Sequence, residues 1–146
     1  MPAGARPPLA LLTLLVAVGL VMAVNAVSPP DTPEIQLQLG HLLYADGRFS
    51  EALTAYEHAV GAPEPRVRIP ARIGLVQSAL RIGSFQKARS EALVLREERP
   101  SDAFALSVYG DAMWSAGLFE EAERGYAEAV ALQPEEARGH NGVARV

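Results

Sequence analysis

Three glycines, each followed at fixed offsets by a phenylalanine and an alanine, constrain this chain more than any other feature. Gly47, Gly83 and Gly117 are followed two residues on by Phe49, Phe85 and Phe119, and three further by Ala52, Ala88 and Ala122. Four residues after each alanine stand Tyr56, Ala92 and Tyr126, and three beyond these Ala59, Leu95 and Ala129. Pro100 and Pro134 close the second and third units at equivalent places, whereas the first ends in Ala62-Pro63-Glu64-Pro65. Gly47 and Gly83 are 36 residues apart and Gly83 and Gly117 are 34 apart. The two extra residues therefore belong in the Pro-rich joint, where lengthening a connection costs little. A repeat of this size is one supersecondary unit that buries a single face, and stacking on its neighbours supplies the core.

Each residue type in the unit has a physical task. Glycine ends a first helix by taking a left-handed conformation that costs other residues ~1 kcal/mol or more. An aromatic just past the turn is expected to plug the angle between the two helices, which assigns Phe49, Phe85 and Phe119 to the core. Alanine at the next crossing lets the backbones approach. Pro100 and Pro134 stop one helix and can start the next, and Asp102 and Glu135-Glu136 suit the positive start of a helix.

This pattern resembles the tetratricopeptide repeat (TPR) family, whose unit places Leu-Gly, Gly, an aromatic, Ala, an aromatic, Ala and Pro in that order. Residues 103–136 supply Tyr109-Gly110, Gly117, Phe119, Ala122, Tyr126, Ala129 and Pro134. Residues 33–68 supply Leu39-Gly40, Gly47, Phe49, Ala52, Tyr56 and Ala59, without the terminal proline. Residues 69–102 depart most, with Leu75-Val76 in the Leu-Gly place and Ala92 where an aromatic is expected. The resemblance implies an all-α fold: a right-handed solenoid of three helix pairs, with residues 137–146 as a capping helix or the start of a fourth unit. It also implies that partners dock on the concave face lined by the first helices. On that face fall Leu37, His41 and Tyr44 from the first unit, and Ile73, Gln77, Leu80 and Arg81 from the second. The third unit adds Phe104, Ser107, Asp111 and Trp114, and Asn141 and Arg145 extend the row. Family members that clamp a partner's terminal carboxylate use Lys, Arg and Asn here, whereas Leu37 and His41 stand in such places. An amphipathic groove with Tyr44, Phe104 and Trp114 as aromatic anchors is the expectation, with core packing an equal reading of Trp114.

The N-terminal segment obeys different rules. No charged residue occurs from Pro7 to Pro30, and residues 9–27 (LALLTLLVAVGLVMAVNAV) are interrupted only by Thr13, Gly19 and Asn25. As a helix this stretch extends roughly 28 Å at ~1.5 Å per residue, close to the ~30 Å hydrocarbon thickness of a bilayer. It reads as one transmembrane helix between a short N-terminus, 1–8, and a Pro-rich linker, 28–32. A second reading stays open, because Val24-Asn25-Ala26 also fits a signal-peptide cleavage site. Arg6 on one side and Asp31 and Glu34 on the other orient the span with its N-terminus in the cytoplasm and residues 31–146 in the periplasm of a bacterial cell. Gly19 and Ala23 share a face on which another membrane helix could pack closely. A linker of five residues reaches roughly 15 Å at ~3.1 Å per residue, which keeps the repeats against the membrane.

Charge and composition exclude several functions. Beyond Arg6 the chain carries 12 of its 13 Lys and Arg against all 17 Asp and Glu. That net of about −5 opposes nucleic acid as a partner. Cysteine is absent, and His41, His58 and His140 lack metal-ligand spacing, so neither a metal nor another cofactor is expected. No phosphate-binding glycine motif or nucleophile elbow occurs, and the pairs Glu97-Glu98, Glu120-Glu121 and Glu135-Glu136 read as helix-end charges. The expectation is a non-catalytic scaffold, with no small-molecule substrate, whose partners are exposed parts of a membrane complex. Respiratory, photosynthetic, secretion and cytochrome-maturation assemblies are the settings considered, with a cleaved periplasmic peptide-binding adaptor as the alternative.

Overall fold

A computed structural model describes residues 31–135 together with Gly139, Asn141, Gly142 and Ala144. The expected membrane span at 9–27, with Gly19 and Ala23, and the groove residue Arg145 lie outside the described residues. Among the described residues from 31 to 135, six helices run in order: α1 (Pro33–Ala45), α2 (Phe49–Ala59), α3 (Pro65–Arg81), α4 (Phe85–Glu98), α5 (Ala103–Ser115) and α6 (Phe119–Leu132). There is no strand among the described residues, and none of their helices is long and apolar enough to cross a membrane.

The turns form for the reason the glycines implied. Gly47, Gly83 and Gly117 have φ of 77°, 74° and 78°, and every other described residue except glycine has negative φ. After each glycine the next N–H donates back across the turn: Arg48 to the Leu43 carbonyl at 2.9 Å, Ser84 to Ala79 at 2.8 Å and Leu118 to Met113 at 2.9 Å. Such bonds satisfy carbonyls that a helix end would otherwise leave bare. Helix starts are signalled as locally. Thr32 accepts from the Ile35 N–H at 3.4 Å ahead of Pro33, and Asp102 Oδ1 accepts from the Ala105 N–H at 3.0 Å.

The joint after α2 corrects a boundary. The extra residues do not loop out; they lengthen α3, which begins at Pro65 and has 17 residues where α1 and α5 have 13. Pro65 starts the helix, so Pro70 falls inside it. Arg68 secures the joint by donating to the Ala62 and Pro63 carbonyls at 3.2 and 2.7 Å.

First helices lie side by side, α1 against α3 and α3 against α5, and each second helix packs on the first helix of the following pair. The core is built from small crossings: Ala52, Ala88 and Ala122 are fully buried, as are Ala59, Leu95 and Ala129. The three phenylalanines are not in it. Phe85 is 44% and Phe119 56% exposed, and Phe49 is half-buried. Each is the first residue of a second helix, on the turn edge of the stack rather than at a crossing between helices. Phe49 lies edge-on to Tyr44 with ring centroids 5.1 Å apart, and Phe119 edge-on to Trp114 at 6.2 Å.

The aromatic in the middle of the second helix takes the role of the plug. The ring of Tyr56 sits where a side chain on Gly40 or Gly74 would be: an added Cβ would meet it at 2.6 Å and 2.3 Å. Tyr126 relates to Gly110 and Gly142 in the same way, at 2.4 Å and 2.2 Å. The second unit exchanges these volumes. Its Ala92 stands in the tyrosine place, and the two glycine places hold Val76 and Val108, all three fully buried in one cluster. The departure of residues 69–102 from the repeat pattern is thus a compensated change of volume.

Candidate partner-binding face

Because the first helices pack side by side, their outward positions form a row across α1, α3 and α5. Leu37 lies beneath this row, 6% exposed in the first core cluster, and so does not reach a partner. Ser107 is likewise buried, its hydroxyl donating to the Ala103 carbonyl at 2.9 Å. His41 is exposed and lies edge-on to Tyr56 with centroids 5.7 Å apart. In the middle of the row Ile73 and Leu80 pack partly against the core, with Gln77 half-buried between them. Phe104 and Trp114 stand out at 39% and 37% exposure, and Asn141 is exposed beyond them.

Two polar features bound the row. Arg81 lies over the Phe49 ring, 4.7 Å from its centroid, so the Tyr44, Phe49 and Arg81 side chains make one aromatic-cation cluster at the turn edge. Asp111 accepts from the Tyr126 hydroxyl at 2.9 Å, which ties a carboxylate of the row to a core ring. Among the described residues Arg81 is the one Lys or Arg of the row, so these show no cluster of Lys and Arg of the kind that grips an acidic tail.

Charge elsewhere is used to join helices. Arg68 and Arg72 on α3 bridge to Glu98 on α4 at 2.9 and 3.1 Å, and Arg72 also bridges to Glu91. Glu98, expected as a helix-end charge, is therefore a tie between α3 and α4. Lys87 pairs with Glu57, and Arg96 pairs with Glu128 at 2.8 Å while lying over the Tyr109 ring at 4.7 Å. Burial opposes the charge on Asp102, but the Ala105 N–H and Arg99 outweigh it and lower its pKa. Burial pushes the Tyr56 hydroxyl up to about 12.

Among the described residues no group of acidic, His or Cys side chains could hold a metal. The clefts are shallow: one of about 250 Å³ is lined by Glu98 to Asp102, and another of about 330 Å³ lies between α1 and α2 over Leu39, Leu43 and Ala55.

The same arrangement of helices recurs in solved structures. The first TPR domain of human RPAP3 superposes with a TM-score of 0.70 at 20% identity, covering 80% of this chain and 91% of that one. The fold is that of a TPR domain. The second TPR domain of human RPAP3, solved with an HSP70 peptide, gives 0.67 at 16% identity over 77% of this chain and 96% of that one. MamA of Desulfovibrio magneticus gives 0.70 at 22% identity over 80% of this chain and 64% of that one. No protein-family model matches the chain, and no curated protein matches it. Within the TPR frame, sequence reasoning missed the apolar row Ile35, Leu39 and Leu42 on α1. Its signal was a spacing of four and three residues, which puts all three on one helix face.

Proposed function

We propose that this chain is a non-catalytic TPR scaffold that binds an extended apolar or aromatic segment of a partner protein along the row formed by α1, α3 and α5. One observation carries the reading: Ile73, Leu80, Phe104 and Trp114 line up on adjacent first helices, with Arg81 and Asp111 at intervals. Aromatic and apolar anchors flanked by a few charges suit a segment held by buried side chains. The HSP70 peptide bound to the RPAP3 domain, SGPTIEEVD, ends in acidic residues. A row whose described residues include Arg81 as the single Lys or Arg, with Leu37 buried beneath it, does not suit such a tail.

The same proposal holds the scaffold to the outer face of a bacterial inner membrane through residues 9–27, with the TPR domain in the periplasm. A linker as short as 28–32 keeps the row near the bilayer, so the partner is an exposed part of a membrane complex, with this chain as an accessory or assembly subunit. Cross-linking from Trp114 in native membranes, followed by identification of the attached chains, tests it: recovery of membrane-complex subunits is expected, and recovery of none would overturn the reading. The motif Val24-Asn25-Ala26 favours a second version, a cleaved periplasmic adaptor, and loss of 26 residues from the intact mass would select it.

A further inference from the structure

The first helix pair exposes a face that its counterparts bury. On α1, Ile35, Leu39 and Leu42 are 43%, 40% and 66% exposed. The equivalent residues are Ala71, Leu75 and Ser78 on α3, and Ala105, Tyr109 and Ala112 on α5, none more than 2% exposed. They are covered because α2 packs on α3 and α4 packs on α5. The molecule therefore contains two finished examples of the joint that begins at α1, and in both the covering element is a second helix.

These examples also define what fits. At the finished joints the ends of the row are small, and the incoming helix supplies bulk, such as the Tyr56 ring over Gly74 or Arg96 over Tyr109. On α1 the sizes are reversed, with Ile35 and Leu42 at the ends, so the incoming helix must carry small side chains on its contacting side. Charge is reversed as well. Lys87 pairs with Glu57 of the preceding second helix, and the residue equivalent to Lys87 in the first pair is Glu51. Glu51 borders the 330 Å³ groove beside Leu39. Its present partner, Arg48, lies one turn earlier, and both side chains of this bidentate pair are exposed and so open to a further charge.

We propose that this face of α1 binds an amphipathic helix of a partner protein, small-residued along its contacting side and bearing a Lys or Arg opposite Glu51. It takes the place that a second helix takes at the internal joints. The surface is distinct from the row across α1, α3 and α5, so the scaffold would hold one chain along its row and a second at its end.

A helix-stapled, fluorescein-labelled peptide of residues 48–62 carrying Tyr56→Ala and Glu57→Lys is the probe, titrated against the full-length chain in lipid nanodiscs by fluorescence anisotropy. Saturable binding is expected, weakened about tenfold by Leu42→Gln on the chain, the loss that exposing one leucine side chain brings. It should weaken several-fold when the peptide lacks Glu57→Lys. Leu42 is exposed, and circular dichroism of Leu42→Gln should match the unsubstituted chain. Absence of saturation, or equal affinity for Leu42→Gln, overturns the proposal. So does a concentration-dependent dimer in sedimentation that Leu42→Gln dissolves, which would give the face to a second copy. Either failure leaves binding along the row untouched, since that reads out through Trp114.

Discussion

The ring of Tyr56 rests on the α-carbon of Gly74, a residue of the next helix pair, so closely that an added methyl group would sit 2.3 Å from ring atom Cζ. Gly40, in the tyrosine's own pair, meets the same ring, an added Cβ lying 2.6 Å from Cε1. One tyrosine thus sets the spacing both within a unit and between units. Gly74→Ala is diagnostic because the two known effects oppose. In a helix, Gly to Ala gains ~1 kcal/mol of propensity, whereas forcing extra volume into a packed core costs ~1–3 kcal/mol. A net loss of up to about 2 kcal/mol in urea unfolding is expected; a gain would show that the ring moves aside freely.

The volume exchange in the second unit gives a sharper test. Ala92→Tyr alone should lower stability by ~3 kcal/mol or more, since Val76 and Val108 occupy the space its ring needs. Combining it with Val76→Gly and Val108→Gly should recover at least ~1–2 kcal/mol of that loss, an interaction energy of the size that touching residues show. Additive losses in thermal unfolding of the triple variant would refute the exchange.

Alkaline pH should unfold the chain partly through Tyr56. Its folded pKa is raised from 10.0 to about 12 by burial, so the neutral phenol contributes stability that is complete below pH 10. That contribution is lost as pH rises from 10 toward 12, and a two-unit shift corresponds to on the order of 2–3 kcal/mol. Melting curves from pH 8 to 11.5 should fall more steeply for the unsubstituted chain than for Tyr56→Phe. Parallel curves would remove Tyr56 from the account.

At the turns the strain is in the backbone alone. An added Cβ at Gly117 meets nothing within 4 Å, yet its φ is +78°. Gly117→Ala should cost ~1 kcal/mol from conformation, with no change in the packing seen by near-ultraviolet dichroism. A neutral result would mean that the turn readily adopts another form.

Trp114 is 37% exposed and lies edge-on to Phe119 rather than in a core cluster. Trp114→Ala should therefore weaken partner binding by about tenfold or more, the loss typical of an aromatic anchor, while lowering Tm by only a few degrees. A large drop in Tm with unchanged binding would make the residue structural.

The sequence by itself determined what depends on near neighbours in the chain. Left-handed glycines, Asp102 at a helix start and a period near 34 residues were enough to predict helix pairs, their turns and their stacking, because the turn and helix-start signals act within one or two turns of helix. Tertiary structure alone decided which side chains a further layer covers. It moved Phe85 and Phe119 to the rim and Leu37 and Ser107 beneath the row, it placed Tyr56 against two glycines from different units, and it left Ile35, Leu39 and Leu42 uncovered at one end. A repeat period gives each residue its place within a unit, but burial depends on what stands opposite. At the edges and ends of a stack that partner is missing from the pattern, so residues in equivalent places meet water in one unit and protein in the next.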